Sequence, residues 1–441
     1  MVETVNSHQD SDFYLGIDFG TSGSRAIVIN ADCQIQFQAS VQLTDKQDCN
    51  LWQTALFNLL ESIPAALRHH IQSIAINGTS STVLLCNHQG QPLAPPLLYN
   101  DSSGAAILEQ VKTIAPPNHT VISTTSSLTK LLWLHQTTPR PTLNTPDPHF
   151  LHQADWLSFL LHGKLGISDY HNALKLGYDV GNLCYPDWLQ QLNLPIQLPN
   201  VLAPGTPIAP ITADIADRFG LPTHCIVCAG TTDSIAAFLA SGASSPGEAV
   251  TSLGSTLVLK LLSQTRVDDA QYGIYSHRFN DLWLVGGASN TGGAVLKQFF
   301  SDEELRQLSE QIQPDRPSPL NYYPLTKPGE RFPINDPNLL PKLEPRPKNS
   351  VEFLHGILES IARIETRGYQ LLQALGATPL TQIYTAGGGA KNNAWTKIRS
   401  RHLGIPILPS QQTEAAYGTA LLARTAKTNP PDLHPMGDRF S

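Results

Sequence analysis

Apolar and polar positions alternate with short periods at the start of the chain. Tyr14-Leu-Gly-Ile-Asp18 reads as a short apolar strand ending in an acid, Phe19-Gly-Thr-Ser-Gly-Ser24 as a turn of small and hydroxyl residues, and Arg25-Ala-Ile-Val-Ile29 as a second strand. The three together predict a β-hairpin closed by a Gly/Ser/Thr loop. The pattern recurs much later. Glu248-Ala-Val-Thr-Ser-Leu253 is a strand, Gly254-Ser-Thr256 a turn and Leu257-Val-Leu-Lys-Leu-Leu262 a strand. One such unit opening each half points to an internal duplication.

Other predicted strands also run into small polar clusters. Ser73–Ile76 leads to Asn77-Gly-Thr-Ser-Ser-Thr82, Leu282–Val285 to Gly286-Gly-Ala-Ser-Asn-Thr-Gly-Gly293, and Gln382–Thr385 to Ala386-Gly-Gly-Gly-Ala390. Strand ends carrying Gly and hydroxyls are where α/β sheets place ligands. Phe353, Ile357, Leu358, Ile361 and Ile364 fall at helical spacing and predict an amphipathic helix. A short apolar helix is expected over Ser234–Ser241, stopped at Gly242. The proline-rich stretch Gln313–Ser350 reads as an irregular surface excursion. The small, flexible segment at residues 240–248 marks the boundary between halves. The expected organisation is a leader over 1–12, a first domain over 13–243, a second over 244–430 and a tail over 431–441.

Composition narrows the function classes. A chain of 441 residues exceeds one ordinary core, and 41% apolar with 15% charged residues supports well-packed globular domains. The net charge is -7 and no Lys/Arg run is present, which argues against nucleic acid and anionic membranes as partners. No apolar run reaches spanning length, and Met1–Asp12 lacks the character of a secretion signal, so a cytoplasmic location, or an organelle stroma after loss of a transit peptide, is expected. Six cysteines are too few for a disulfide framework. Cys225-x-x-Cys228 sits in an apolar strand pattern without a second pair, and reads as buried small residues rather than a zinc site.

Three segments carry candidate chemistry. Around Asp18, glycines would let backbone N–H groups approach an anion, hydroxyls would add donors, and the carboxylate could hold Mg2+ beside phosphate oxygens. The same residues could equally form a tight hairpin capped by an acid. In Ala229-Gly-Thr-Thr-Asp233 the acid either caps the helix that follows or accepts the proton of a substrate hydroxyl, its ionised form favoured by the helix N-terminus. A weak base suffices for a loose phosphoryl transfer. Gly387-Gly-Gly389 and the following Lys-Asn-Asn would pack flat against an adenine ring, or form an ordinary strand-to-helix turn. Neither G-x-x-x-x-G-K-[ST] nor G-x-G-x-x-G is present, so any nucleotide site is of the hairpin type.

Asp-x-Gly-Thr-x-x-x-Arg from Asp18, Gly-Thr-Thr-Asp ending at Asp233, Ser-Leu-Gly-Ser-Thr ending at Thr256, and Gly-Gly-Gly-Ala ending at Ala390 form an ordered series. From about Tyr14 to Ala426 the chain resembles the FGGY family of carbohydrate kinases. The resemblance implies an α/β fold of two duplicated ribonuclease-H-like domains of the actin and hexokinase type, each with a mixed sheet, around an inter-domain cleft. It implies a phosphotransferase using ATP and Mg2+ on a small-molecule sugar. Asp233 would be the general base and contact the sugar. Asp18 would organise Mg2+ or the sugar end of the site. Gly20, Thr21, Ser22 and Arg25 would face the β- and γ-phosphates, with Gly254 and Thr256 as the second phosphate loop. Gly292, Gly293 and Gln298 would line the nucleotide, and Gly388 and Asn392 the adenosine. Ser80, Ser81 and Asp101 would meet the sugar.

Two departures from the family pattern matter. Thr79, Ser80 and Ser81 stand where the family often presents Gln-Met-His or Gln-Gln. After Tyr99-Asn100-Asp101 the usual Arg is replaced by Ser102 and Ser103, which argues against a glycerol kinase. Ser168-Asp-Tyr-His-Asn-Ala173 matches a family segment read as structural. The Asn77–Ser81 loop, the Tyr99–Ser102 segment and the run Thr125–Leu131 resemble the short cyanobacterial and chloroplast xylulose-kinase-like branch that acts on D-ribulose. The resemblance therefore implies phosphorylation of D-ribulose. D-Xylulose or another polyol is the alternative acceptor. A non-catalytic sugar- and nucleotide-binding regulator and an ATPase acting on a protein are the rival classes.

Overall fold

The structure is a computed structural model that describes residues 12–21, 23–138 and 148–426. Two compact units divide the chain. One runs to Ala237 and resumes at Glu414, and the other spans Phe238–Thr413. The second unit is thus an insertion within the first.

In the first unit, β1 (Phe13–Phe19), β2 (Gly23–Asn30), β3 (Ile35–Gln42) and β4 (Ile71–Gly78) share a seven-stranded sheet. β1–β2 and β2–β3 pair antiparallel, while β1–β4 and β4 with the strand Ile226–Cys228 pair parallel. Central β1 is buried along nearly all its length, as a strand covered on both faces must be. On one face Leu15, Ile17 and Phe19 pack with Trp52, Leu56 and Leu59 of the helix Cys49–Ser62. The other face takes the helix Ala415–Thr425. A Cβ at Gly16 would lie 2.1 Å from Ala416 O and Ala420 N, so only glycine admits this approach. Edge strand β3 alternates half-buried and exposed positions, the pattern of a sheet margin with one wet face. A satellite core including Val83, Leu85, Leu128, Leu131 and Phe150 supports the loops after β4.

The second unit repeats the plan. Its strands Glu248–Leu253, Leu257–Ser263, Leu282–Ser289, Gln382–Ala386 and Ile407–Pro409 lie in the spatial order third, second, first, fourth, fifth. β3, β2, β1, β4 and Ile226–Cys228 follow the same order with the same antiparallel and parallel senses. The duplication read from two hairpins therefore extends to five strands of each sheet. The amphipathic pattern after residue 350 becomes the helix Ser350–Ala374, whose Phe353, Ile357, Leu358, Ile361 and Ile364 enter the second core. Between this helix and the sheet, buried Arg399 makes a bidentate pair with Glu365 at 2.6 and 2.7 Å and donates to Thr385 Oγ1. Glu365 also accepts from Thr251. The carboxylate there is met by directed donors and the guanidinium by directed acceptors, as burial requires.

Two sequence expectations change. The proline-rich stretch carries no helix or strand, as expected, but it is not merely a surface excursion: Tyr322, Leu325, Glu330 and Phe332 are buried. Phe332 fills space left by Gly287 and Gly368, where a Cβ would overlap its ring. The helix Ala415–Thr425, placed in the second domain by the sequence reading, packs on β1 of the first unit. Among the described residues, no helix is long and apolar enough to cross a membrane. Cys225 and Cys228 are both buried, and burial pushes the Cys228 thiol up to about 12.

Candidate functional site

In the first unit, strand register gathers the acidic site. Asp18 at the end of β1 pairs with Asn77 of β4, and Asn77 pairs in turn with Thr231. Asp233 follows two residues later, at the start of the helix Asp233–Ala240. Parallel strands ending together bring these side chains to one edge of the sheet. Asp18 is only 4% exposed, and its Oδ1 has no hydrogen-bond partner among the described residues. Burial, reinforced by the Asp233 carboxylate, pushes Asp18 up to about 7, against the pull of Arg25. Half-exposed Arg25 lies 3.9 Å from Asp18 and 3.4 Å from Glu414. Asp233 Oδ1 accepts from Ser234 N at 2.6 Å. Gly20 and Thr21 lie in the turn beyond β1, which Gly20 N closes by donating to Gly23 O at 3.0 Å, and Ser22 lies outside the described residues. Asn77 donates to Thr419 Oγ1 at 2.6 Å, so the last helix holds the centre of this row.

The loop after β4 adds hydroxyls. Thr79 is anchored by Gln153 through its backbone N–H and by Thr82 through its hydroxyl. Ser80 is half-buried. Ser81 is buried in the left-handed region (φ 62°), and its hydroxyl has no partner among the described residues. Asp101 accepts from Ser103 N at 2.8 Å and closes the neighbouring loop. Beneath both loops, buried Lys130 donates to Ser81 O at 2.7 Å and Leu98 O at 2.6 Å. In the segment Ser168–Ala173, buried Asp169 accepts from the backbone of His171 and Asn172, and His171 Nδ1 lies 2.7 Å from Thr231 Oγ1. This matches the structural role read for that segment and connects it to the strand before Asp233.

In the second unit, three glycine turns enclose a cavity of about 730 Å³ lined by Gly254, Gly293, Leu296, Ser309, Gly388, Asn392 and Trp395 among others. Gly293 N donates to Gly254 O at 2.8 Å, which joins the first two turns. Gly292 has φ 144°, and a Cβ there would lie 2.7 Å from Thr256 C. Thr256 thus stands behind the lining, while Ser255 reaches it. Gln298 is exposed on the next turn and is not part of the lining, whereas Lys297 is. The Asn392 side chain is already committed. Its Oδ1 caps the following helix by accepting from Trp395 N at 3.0 Å, and its Nδ2 donates to Ser309 at 2.8 Å. Its position in the wall is thereby fixed, with one amide N–H of Nδ2 used by Ser309.

Glu330 was invisible in the sequence. Only 2% exposed, it accepts from Ser289 Oγ, Asn290 N and Tyr323 OH, and so braces the strand end before Gly292. Composition hides it, because a carboxylate among prolines looks solvated until its donors are seen.

Residues 13–240 match the N-terminal domain of the FGGY family of carbohydrate kinases, and residues 249–426 match its C-terminal domain. The chain belongs to that family. This kinase is accordingly a phosphotransferase with an alcohol group as acceptor and ATP as donor. It is 22% identical to a xylulose kinase of Staphylococcus xylosus, over 93% of this chain and 90% of the relative. It is 26% identical to a xylulose kinase of Streptomyces coelicolor, over 93% and 87%. A xyloylose kinase structure from Brucella ovis superposes with a TM-score of 0.82 at 23% identity, covering 94% of this kinase and 90% of that chain.

Proposed function

We propose that the kinase phosphorylates a ketopentose, D-ribulose, on its terminal hydroxyl to give D-ribulose 5-phosphate. The observation that carries the reading is the row Asp18, Asn77, Thr231 with Asp233 beyond it, beside the hydroxyl loop Thr79–Ser81. Small hydroxyls suit a polyhydroxylated acceptor, since each can both donate and accept. The ribulose assignment draws on the sequence likeness of the Asn77–Ser81, Tyr99–Ser102 and Thr125–Leu131 segments. D-Xylulose is the second reading, favoured by the xylulose kinases among the relatives.

Asp233 accepts the proton of the C5 hydroxyl. O5 attacks the γ-phosphorus in line, the bond to the β–γ bridging oxygen breaks, and ADP leaves. In the first unit Thr21 offers donors to phosphate oxygens beside Asp18, at a turn that Gly20 N closes by donating to Gly23 O at 3.0 Å. In the second unit Gly254 and Ser255 line the cavity that takes the nucleotide. Mg2+ fits at Asp18, where a buried carboxylate oxygen lacks any partner among the described residues. Those residues contain no cluster of three or more His, Cys, Asp or Glu side chains able to hold a metal, so phosphate and water oxygens would complete the shell. When bound, the ion neutralises charge on the transferring phosphates. A coupled assay comparing D-ribulose with D-xylulose by kcat/KM tests the acceptor. Preference for D-xylulose would replace the first reading by the second, and turnover of neither would reject both.

A further inference from the structure

Lys130 is among the largest fully buried side chains of the molecule, yet the reaction above gives it no task. Its helix, Ser127–Thr137, is locked at the N-terminus. Ser126 accepts from Thr129 N and donates to Val121 O, and Thr129 Oγ1 lies within bonding distance of Ser123 O and Ser126 O. Packing of Leu128, Leu131 and Leu132 in the satellite core fixes the rest. The ammonium is therefore delivered from a firmly held helix to two separate loops.

The two acceptors are Ser81 O, on the loop after β4, and Leu98 O, on the loop that leads to Asp101. Leu98 O also accepts from Asp101 N at 2.9 Å, so one carbonyl gathers both the lysine and the turn carrying Asp101. At the other end, Ser81 holds a left-handed conformation that a serine seldom adopts unaided. Burial of a cation is costly and pushes Lys130 down to about 8, with Asp101 opposing the shift and Lys175 adding to it. A neutral side chain could fill the same volume without that cost. What only the ammonium supplies is a pair of strong donors spanning both loops.

We infer that Lys130 is a positioning residue for acceptor selection: it clamps the Thr79–Thr82 and Leu98–Asp101 loops together and holds the turn at which the buried Ser81 hydroxyl meets a sugar hydroxyl. The inference rests on the pentulose-kinase reading of the site. It assigns acceptor discrimination to the spacing of two loops set from beneath, and not only to the side chains that touch the sugar.

The test uses the full chain with Lys130→Met, Lys130→Gln and Lys130→Arg. Acceptor KM is measured for D-ribulose and D-xylulose at saturating ATP, and ATP KM at saturating acceptor. In K130M, acceptor KM should rise by about tenfold or more, the ratio of kcat/KM for the two sugars should change by about threefold or more, and ATP KM should stay within about twofold. K130R, which keeps charged donors, should recover part of the lost acceptor affinity. An unchanged acceptor KM and sugar ratio overturns the inference. So does a fall in kcat that is equal for both sugars at constant KM, the signature of a smaller active fraction. If K130M does not fold, K130Q and K130R are read by the same criteria. Should the parent turn over neither pentulose, the proposed function fails, and the Lys130 comparison is made on the acceptors that the parent does use.

Discussion

Asp233 and Asp18 are both carboxylates at the edge of one sheet, but their environments separate their roles. Asp233 is half-buried at a helix start and, as the proposed general base, should account for about 10²–10⁴ in kcat. Asp233→Ala is expected to lose that factor with little change in ATP KM, as read by steady-state kinetics. Near-normal turnover would remove it from the chemistry. Asp18 is held up to about 7 against an ordinary 3.8, so the folded state binds its proton more tightly than the unfolded chain. In nucleotide-free protein without added metal its contribution is therefore neutral below about pH 4, becomes unfavourable as pH rises towards 7, and is constant above. Asp18→Asn should raise stability at pH 8 by on the order of 4 kcal/mol and leave it nearly unchanged at pH 4, while abolishing kinase activity. Thermal unfolding at the two pH values checks this, and an equal effect at both would show that the Asp18 charge is not the cause. The sequence made both acids visible through their Gly/Thr neighbours. It could not show that Asn77 and Thr231 stand between them, because that row exists only in the strand register.

Among the elements, the glycine turns of the second unit separate geometric necessity from mere smallness. Gly292 is left-handed and its missing Cβ is replaced by the backbone of Thr256, whereas nothing lies within 4 Å of a Cβ at Gly388. Gly292→Ala should cost about 1–3 kcal/mol and raise ATP KM. Gly388→Ala should change stability by no more than about 0.5 kcal/mol. Chemical denaturation and ATP titration of the two variants distinguish them, and equal penalties would contradict the turn geometry. In the sequence both are members of glycine-rich strand ends, and nothing local tells them apart. The hairpins, the long helix and the strand ends were legible because periodicity is a local property. The packed role of residues 313–349 was not, since prolines and isolated acids signal a loop whether or not it is later buried. Glu330 shows the reason: its donors come from Ser289, Asn290 and Tyr323, and the first two lie some forty positions away in the chain.

At the scale of the whole molecule, five strands of each sheet repeat one order, which the sequence announced through only two of its hairpins. What the sequence concealed is that the first unit is discontinuous. Its sheet is completed by the helix Ala415–Thr425, bound through Ser73 to Ala423 O, Asn77 to Thr419 and Tyr417 to Cys33 O. Gly16→Ala, which would drive a methyl into the backbone of that helix, should destabilise the protein by more than about 3 kcal/mol and remove sugar turnover. Calorimetry that showed an unshifted transition would refute the packing. The same arrangement dictates an order of assembly during synthesis. All of residues 238–413 are synthesised, and emerge from the ribosome, ahead of the helix that covers β1. The nascent sheet must wait with one apolar face uncovered until the whole of the second unit has been made, so the part of the enzyme begun first is the part finished last.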